Sequence, residues 1–171
     1  MGSLAAILSR SARPNPDQIC RMLAASPHRG ADVAHGACGD AILAVSNSPD
    51  HIDSTLSIAE ALGAVFSGRL HNAAELATTV TALGFPPAST RPADIVVSAF
   101  RAFGLDAASR MRGEFAAVVT DGHQMWCLRD HLGFRPLFYR DEPRAFFAAT
   151  EIKQVMAGAD LAPTCTEGSR P

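Results

Sequence analysis

Three stretches of this 171-residue chain carry residue types that can do chemistry. The first is the opening, MGSLAAILS, where Ser3 begins an apolar run. A serine freed at a chain terminus can act as a nucleophile with its own amine as base. The second is FSGRL, which sets Gly68 after a predicted strand and before a predicted helix. Backbone donors can face a ligand there, although a plain turn uses a glycine equally well. The third is RDHLGFRP, which gathers Arg129, Asp130 and Arg135 around Gly133. A hairpin with a local ion pair accounts for that grouping.

Metal chemistry has little support. His28, His35, His51, His71, His123 and His131 include no pair at helical i, i+4 spacing, so they read as scattered surface residues. Cys20, Cys38, Cys127 and Cys165 form no CxxC pair and have no His at zinc-like spacing. They read as reduced, mostly buried thiols of a cytoplasmic protein.

Composition narrows the class. Apolar residues make up 47% and charged residues 19%, as in a globular domain. The formal charge of −2 gives no electrostatic case for nucleic acid or an anionic membrane. No apolar run approaches the roughly 20 residues that cross a bilayer. In residues 1–13 the apolar part precedes the arginines, which is not a signal-peptide design.

The elements that position these residues follow from periodicity. Ser3–Ser9 reads as a strand buried on both faces. NPDQICRMLAAS predicts a helix capped by Asn15, with Ile19, Met22 and Leu23 inward. DVAHGAC and AILAVS flank Gly39-Asp40 as a hairpin, and residues 48–53 read as a loop. STLSIAE and GAVFSGRL predict two more strands turning near Gly63. A helix capped by Asn72 and ended by Gly84 follows. ADIVVSAFRAFG predicts an amphipathic helix with Ile95, Ala99, Ala102 and Phe103 as its stripe.

GEFAAVVTD, QMWCLRD, PLFYRD and RAFFAAT predict a four-strand antiparallel meander, with Glu114–Val119 buried on both faces. Phe115, Trp126 and Phe147 read as core, as does at least one of Phe138 and Tyr139. EIKQVMAG closes as a short helix. The fold class is α+β, with two mainly antiparallel sheets packed together and helices outside. Residues 1–157 form one domain, and 158–171 read as a tail or linker.

The order of motifs resembles the N-terminal glutaminase domain of class II glutamine amidotransferases, in the asparagine synthetase branch. PHRGADVAHG is similar to that family's His-Arg-Gly-Pro-Asp loop, with Ala31 in place of proline. FSGRLHNAAEL is similar to its Asn-Gly-Glu-Ile-Tyr-Asn segment, and MRGEFAAVVTD to its Gly-x-Phe-Ala strand. LRDHLGFRPLFY and ATEIKQVMA resemble the Arg-Asp-x-x-Gly-x-x-Pro-Leu-Tyr motif and the Ser-Glu-x-Lys helix after it. The resemblance implies an αββα four-layer sandwich of the N-terminal nucleophile type.

It also implies an emptied site. Gly2 stands where the family has its nucleophilic cysteine. Ser67 stands at the oxyanion-hole asparagine, beside a retained Gly68. The arginine that grips the glutamine carboxylate would fall just past the second hairpin strand, near Asn47, and Pro92 stands at the aspartate that binds the glutamine amine, with Asp94 two residues on. Relatives with an emptied glutaminase domain include lasso-peptide cyclases and β-lactam synthetases.

The resemblance therefore implies a non-catalytic domain or subunit of an ATP-dependent amide-forming ligase, acting as scaffold or partner surface. No cofactor is expected on this chain. ATP and Mg²⁺ are expected on an asparagine synthetase-like ligase partner, with a precursor peptide or other amide-forming substrate. Arg129, Phe134, Arg135 and Phe138 are the expected interface. Two alternatives stand beside this reading: an amidohydrolase using Ser3 after processing, and a stand-alone binder of small molecules. Neither the amide product nor the oligomeric state is legible.

Overall fold

The computed structural model describes residues 2–11 and 14–159. Nine strands form two sheets among these residues. Strand β1 (Ser3–Ser9) lies between β3 (Ala41–Asn47) and β9 (Ala145–Ala149), and β2 (Asp32–Cys38) and β8 (Phe138–Asp141) are the edges of that five-stranded sheet. The second sheet has the order β4 (Ser54–Ala59), β5 (Leu62–Leu70), β6 (Gly113–Thr120), β7 (Met125–Arg129). Every pairing is antiparallel.

Alternation along the strands builds four layers. Leu4 and Ala6 of β1 face the second sheet, with Leu43, Val45, Val65, Ala116 and Val118. Ala5 and Ile7 face the opposite way, onto Ile19, Met22 and Leu23 of helix α1 (Pro16–Ala24) and Val155 of α5 (Ile152–Gly158). On the outer side of the second sheet, Phe66 and Phe115 pack under α2 (Ala73–Ala82) and α3 (Pro92–Phe103). A one-turn helix, α4 (Ala107–Arg110), leads into β6. The αββα sandwich is therefore present, and β1 is buried on both faces as expected.

Several local expectations hold. Asn15 caps α1, its side chain accepting from Asp17 N–H. Gly39-Asp40 turns the hairpin between β2 and β3. Others are corrected. The four strands of the last third are not one meander, because β6 and β7 belong to one sheet while β8 and β9 belong to the other. The segment RDHLGFRPL crosses between the sheets. β6 is buried only from Phe115 onward, and Glu114 is exposed.

The β4–β5 turn lies at Glu60-Ala61, with Glu60 at positive φ, while Gly63 sits inside β5 against Leu43. Asn72 does not cap α2 with its side chain, which instead bonds Arg110 O and Arg112 N. Helix α3 is buried without a break from Ala93 to Phe100, rather than along one stripe. Phe115 and Phe147 are core, while Trp126 is half-buried against Phe100. Phe138 and Tyr139 are both exposed, because β8 is an edge strand.

Of the described thiols, Cys38 is buried and Cys20 and Cys127 are exposed, against the expectation of mostly buried cysteines. Cys165 lies outside the described residues, as does most of the expected tail, whose first residue, Gly158, ends α5. No helix among the described residues is long and apolar enough to cross a membrane.

Candidate functional site

Three of the positions expected from the resemblance, Gly2, Asn47 and Ser67, meet Ser54 at one end of the two sheets. Gly2 precedes β1, Asn47 ends β3, Ser54 begins β4 and Ser67 lies near the end of β5. All four are buried. The N–H of Gly2 donates to Asp53 Oδ1 at 2.5 Å. A Cβ at position 2 would lie 2.5 Å from both Ser46 O and Ser54 Oγ and 2.7 Å from Asn47 Oδ1. The room a nucleophile's side chain needs is therefore filled by the protein.

Asn47 is a loop clamp. Its Nδ2 donates to Ser54 O at 2.9 Å, and its Oδ1 accepts from Asp53 N–H at 3.2 Å and Ser54 N–H at 3.0 Å. Ser54 Oγ donates to Ser67 Oγ at 3.0 Å. Gly30 packs against this corner at φ 116°, where a Cβ would fall 2.0 Å from the carbonyl carbon of Asn47. That contact explains the glycine of the PHRG stretch.

Gly68 retains the glycine but not a free donor. Its N–H donates to Asp53 O at 2.8 Å, extending the β4–β5 ladder. Its φ is 122°, and a Cβ would lie 2.1 Å from Glu114 O. Sheet packing alone thus demands glycine at this position.

Asp53, which sequence reasoning missed, is the hub. Its side chain is 6% exposed and faces Arg135, whose Nη2 lies 3.1 Å from Oδ2. His51 Nε2 stands 3.7 Å from the same oxygen. The pair joins the β3–β4 loop to the segment that crosses between the sheets. The only sequence signal was an acidic residue in a polar loop and a basic residue far along the chain.

Pro92 starts α3, and the next N–H, from Ala93, donates to Thr55 Oγ1 at 3.1 Å. Asp94 is 4% exposed and accepts from Ser89 Oγ and from Arg91 Nε. Burial works against its charge, but hydrogen bonds from Ser57 and Ser89 and the Arg91 guanidinium outweigh it and hold the carboxyl below the usual range. None of these partners belongs to the Asp53 network, so Asp94 acts as an anchor for the helix start.

Ser3 lies on the other face of β1. Its Oγ is within 2.7 Å of Ser46 Oγ and accepts from Gln154 Nε2 at 3.1 Å, fully buried under α5. A one-residue step along a strand reverses the face, and this separates Ser3 from the Gly2 corner.

The crossing segment is pinned by Asp130, which accepts from the N–H groups of Phe115, Leu132, Phe134 and Arg135. Burial opposes its charge, and those backbone bonds, led by Phe134, hold its carboxyl below the usual range. Arg129 Nη2 donates to Gly133 O at 2.7 Å. Leu132 and Phe134 stand out at 79% and 61% exposure. Of the four expected interface residues, Arg129, Phe134 and Phe138 are exposed, whereas the Arg135 side chain is only 17% exposed and turned onto Asp53.

A second hub joins two of the sequence motifs. Glu151, just before α5, receives Arg29 Nε at 2.5 Å, His28 Nε2 at 2.7 Å, Ser26 Oγ at 3.1 Å and Lys153 Nζ at 3.2 Å. Burial opposes its charge, but these partners, Arg29 first, lower its pKa to about 2. It also caps α5 in a capping box with Gln154, a pattern legible as Glu-x-x-Gln.

The sandwich is shared with a solved amidotransferase. Glutamine phosphoribosylpyrophosphate amidotransferase from Bacillus subtilis superposes with a TM-score of 0.68 at 15% identity, covering 94% of this chain and 43% of that one. Residues 43–157 match the family described as a glutamine amidotransferase domain, and the chain belongs to that family. Two asparagine synthetases (glutamine-hydrolyzing) of Bacillus subtilis, numbers 3 and 1, are 27% and 28% identical to it over 57% and 54% of the chain. The matched stretches are 16% and 15% of those proteins, so the chain spans about a sixth of the length of these relatives.

Proposed function

We infer that this amidotransferase domain is non-catalytic and serves an asparagine synthetase-like, ATP-dependent amide-forming ligase as scaffold or partner-binding surface. The observation that carries the reading is at position 2. There is no side chain to attack an amide, and the space for one is taken by Ser46, Asn47 and Ser54. The backbone donor left at Gly68 is spent on Asp53 O. Without nucleophile or free oxyanion donor, covalent amide hydrolysis has no route here.

The chemistry then belongs to a ligase domain or subunit that binds ATP and Mg²⁺, in the cytoplasm. A ligase that joins an amine already present in its substrate needs no ammonia. A precursor peptide or β-lactam precursor is a substrate of that kind. The use of Ser3 as nucleophile is opposed by its burial beneath α5 and its bonds to Ser46 and Gln154.

The test has two arms. Purified protein incubated with glutamine should release ammonia at the buffer rate. Tagged protein should retain an ATP-dependent ligase subunit encoded beside it. Ammonia release that disappears in Ser3→Ala would overturn the reading in favour of a hydrolase.

A further inference from the structure

We propose that the free edge of β2 is a strand-addition site for an extended polypeptide segment with an uncharged centre and a basic end. The five-stranded sheet has two edges of opposite character. β8 spans four residues and ends in Arg140 and Asp141, which are tied to Glu142 and Arg10. A short, charged edge resists pairing. β2 is seven residues long, DVAHGAC, and is uncharged from Val33 to Cys38 apart from a histidine. It holds no proline and no lysine, and it pairs residue for residue with β3 without a bulge. Apart from Asp32 at its start, the strand itself carries none of the devices that protect an edge, and no described strand pairs with its outer side.

The edge also offers the right groups. In an antiparallel ladder alternate residues turn their N–H and C=O away from the neighbour. Counting from the hairpin-closing pair Cys38–Ala41, those residues are Val33, His35 and Ala37. All three are exposed, Val33 by 42%. Gly36 lies close against the second sheet, where an added Cβ would fall 2.5 Å from Ile58 Cδ1 and push that side chain aside. The strand is thereby drawn against the second sheet while its outer edge stays open.

What covers the edge is set by its surroundings. An apolar hollow of about 360 Å³ adjoins it, lined by Cys20, Leu23, Ala24, Pro27, Ala31 and Val33. Side chains of an added strand alternate between faces, so every second one can enter such a hollow. Asp32 at the start of β2 is an exposed acid beside the uncharged centre, whereas Asp40 just past the other end already faces His123 Nδ1 at 3.2 Å. A partner strand with a basic end beside Asp32 complements it. The proposal rests on the sheet edge and not on the ligase reading above.

The probe is the peptide acetyl-Lys-Thr-Val-Thr-Leu-Thr-Lys-amide, titrated into the full chain and followed by amide hydrogen exchange. Val33, His35 and Ala37 amides should exchange about tenfold more slowly at saturation. Backbone N-methylation of the peptide, or exchange of its lysines for glutamates, should weaken binding about tenfold or more. His35→Pro, which removes an outward N–H, should abolish binding. Ala24→Trp fills the hollow without touching the ladder and should weaken binding even if the proline variant fails to fold. Equal binding of the N-methylated peptide would overturn the proposal. A dimer in analytical ultracentrifugation that His35→Pro dissolves would assign the edge to a second copy and overturn it as well.

Discussion

Arg135 and Asp53 are eighty-two positions apart in the chain, yet Nη2 of one lies 3.1 Å from Oδ2 of the other. The pair stands at the corner where Gly2, Asn47, Ser54 and Ser67 meet, and Asp53 also holds the Gly2 N–H. What sequence resemblance marks as a vacated pocket is held by a network of the protein's own polar groups. The pair ties a loop of one face to the segment that crosses between the sheets.

Removing one partner should therefore cost stability. Arg135→Leu leaves Asp53 buried without its cation, and about 3 kcal/mol should be lost, the lower end for a broken buried pair. Arg135→Glu should be worse. The double variant Arg135→Leu with Asp53→Asn should recover much of the loss. Urea unfolding of these three proteins and of Asp53→Asn alone checks this, and additive losses would mean that the pair is not coupled.

Gly2→Cys should not create a glutaminase. The new Cβ would press on Ser46 O and Ser54 Oγ, each at 2.5 Å, and the corner still lacks partners for the substrate. Ammonia release should remain at background, and the melting temperature should fall. A gain in glutamine hydrolysis would show that the corner relaxes around a side chain.

Acid should loosen the junction between the turn at residues 26–29 and the start of α5 through Glu151. Its pKa falls from 4.5 to about 2 in the folded protein. A depressed carboxyl contributes stability that is complete above its unfolded pKa and disappears as pH falls through the folded one. The loss should therefore run from about pH 4.5 down to about pH 2. Asp94 and Asp130, also lowered, add to the same acid limb. Glu151→Gln should flatten part of that limb in denaturation measured across pH.

Truncation should separate core from corner. Phe115→Ala and Phe147→Ala remove fully packed rings and should each cost roughly 3–5 kcal/mol. Ser67→Ala loses one hydroxyl contact and should stay within about 1 kcal/mol. Asn47→Ala strands two buried N–H groups, of Asp53 and Ser54, and should cost about 2–3 kcal/mol. Chemical denaturation that ranked Asn47 with Ser67 would show that the clamp is dispensable.

The layers were legible in the sequence because each strand is patterned by burial. The run Leu4–Leu8 and the Asn15 cap translate directly into structure. The membership of strands in sheets was not legible. Four closely spaced strands read as a meander, and only long-range pairing sends β8 and β9 back to β1. Family motifs marked Gly2, Asn47 and Ser67 as a corner. They could not show Asp53, whose role depends on a partner reached across a sheet crossing. Edge position likewise overrode pattern at Phe138 and Tyr139, which alternate like core residues yet face water.

The central place of β1 has a consequence for how the chain is made. Its two neighbours are β3, some forty residues away, and β9, at the far end of the fold. During vectorial synthesis β1 can dock on β3 early, but its other side waits until residues 145–149 have emerged. Until then a strand apolar on both faces offers an open ladder to any neighbouring chain. Contacts of such sequence separation slow folding and lengthen the aggregation-prone interval. The nascent chain is accordingly most vulnerable just before its last strand is delivered.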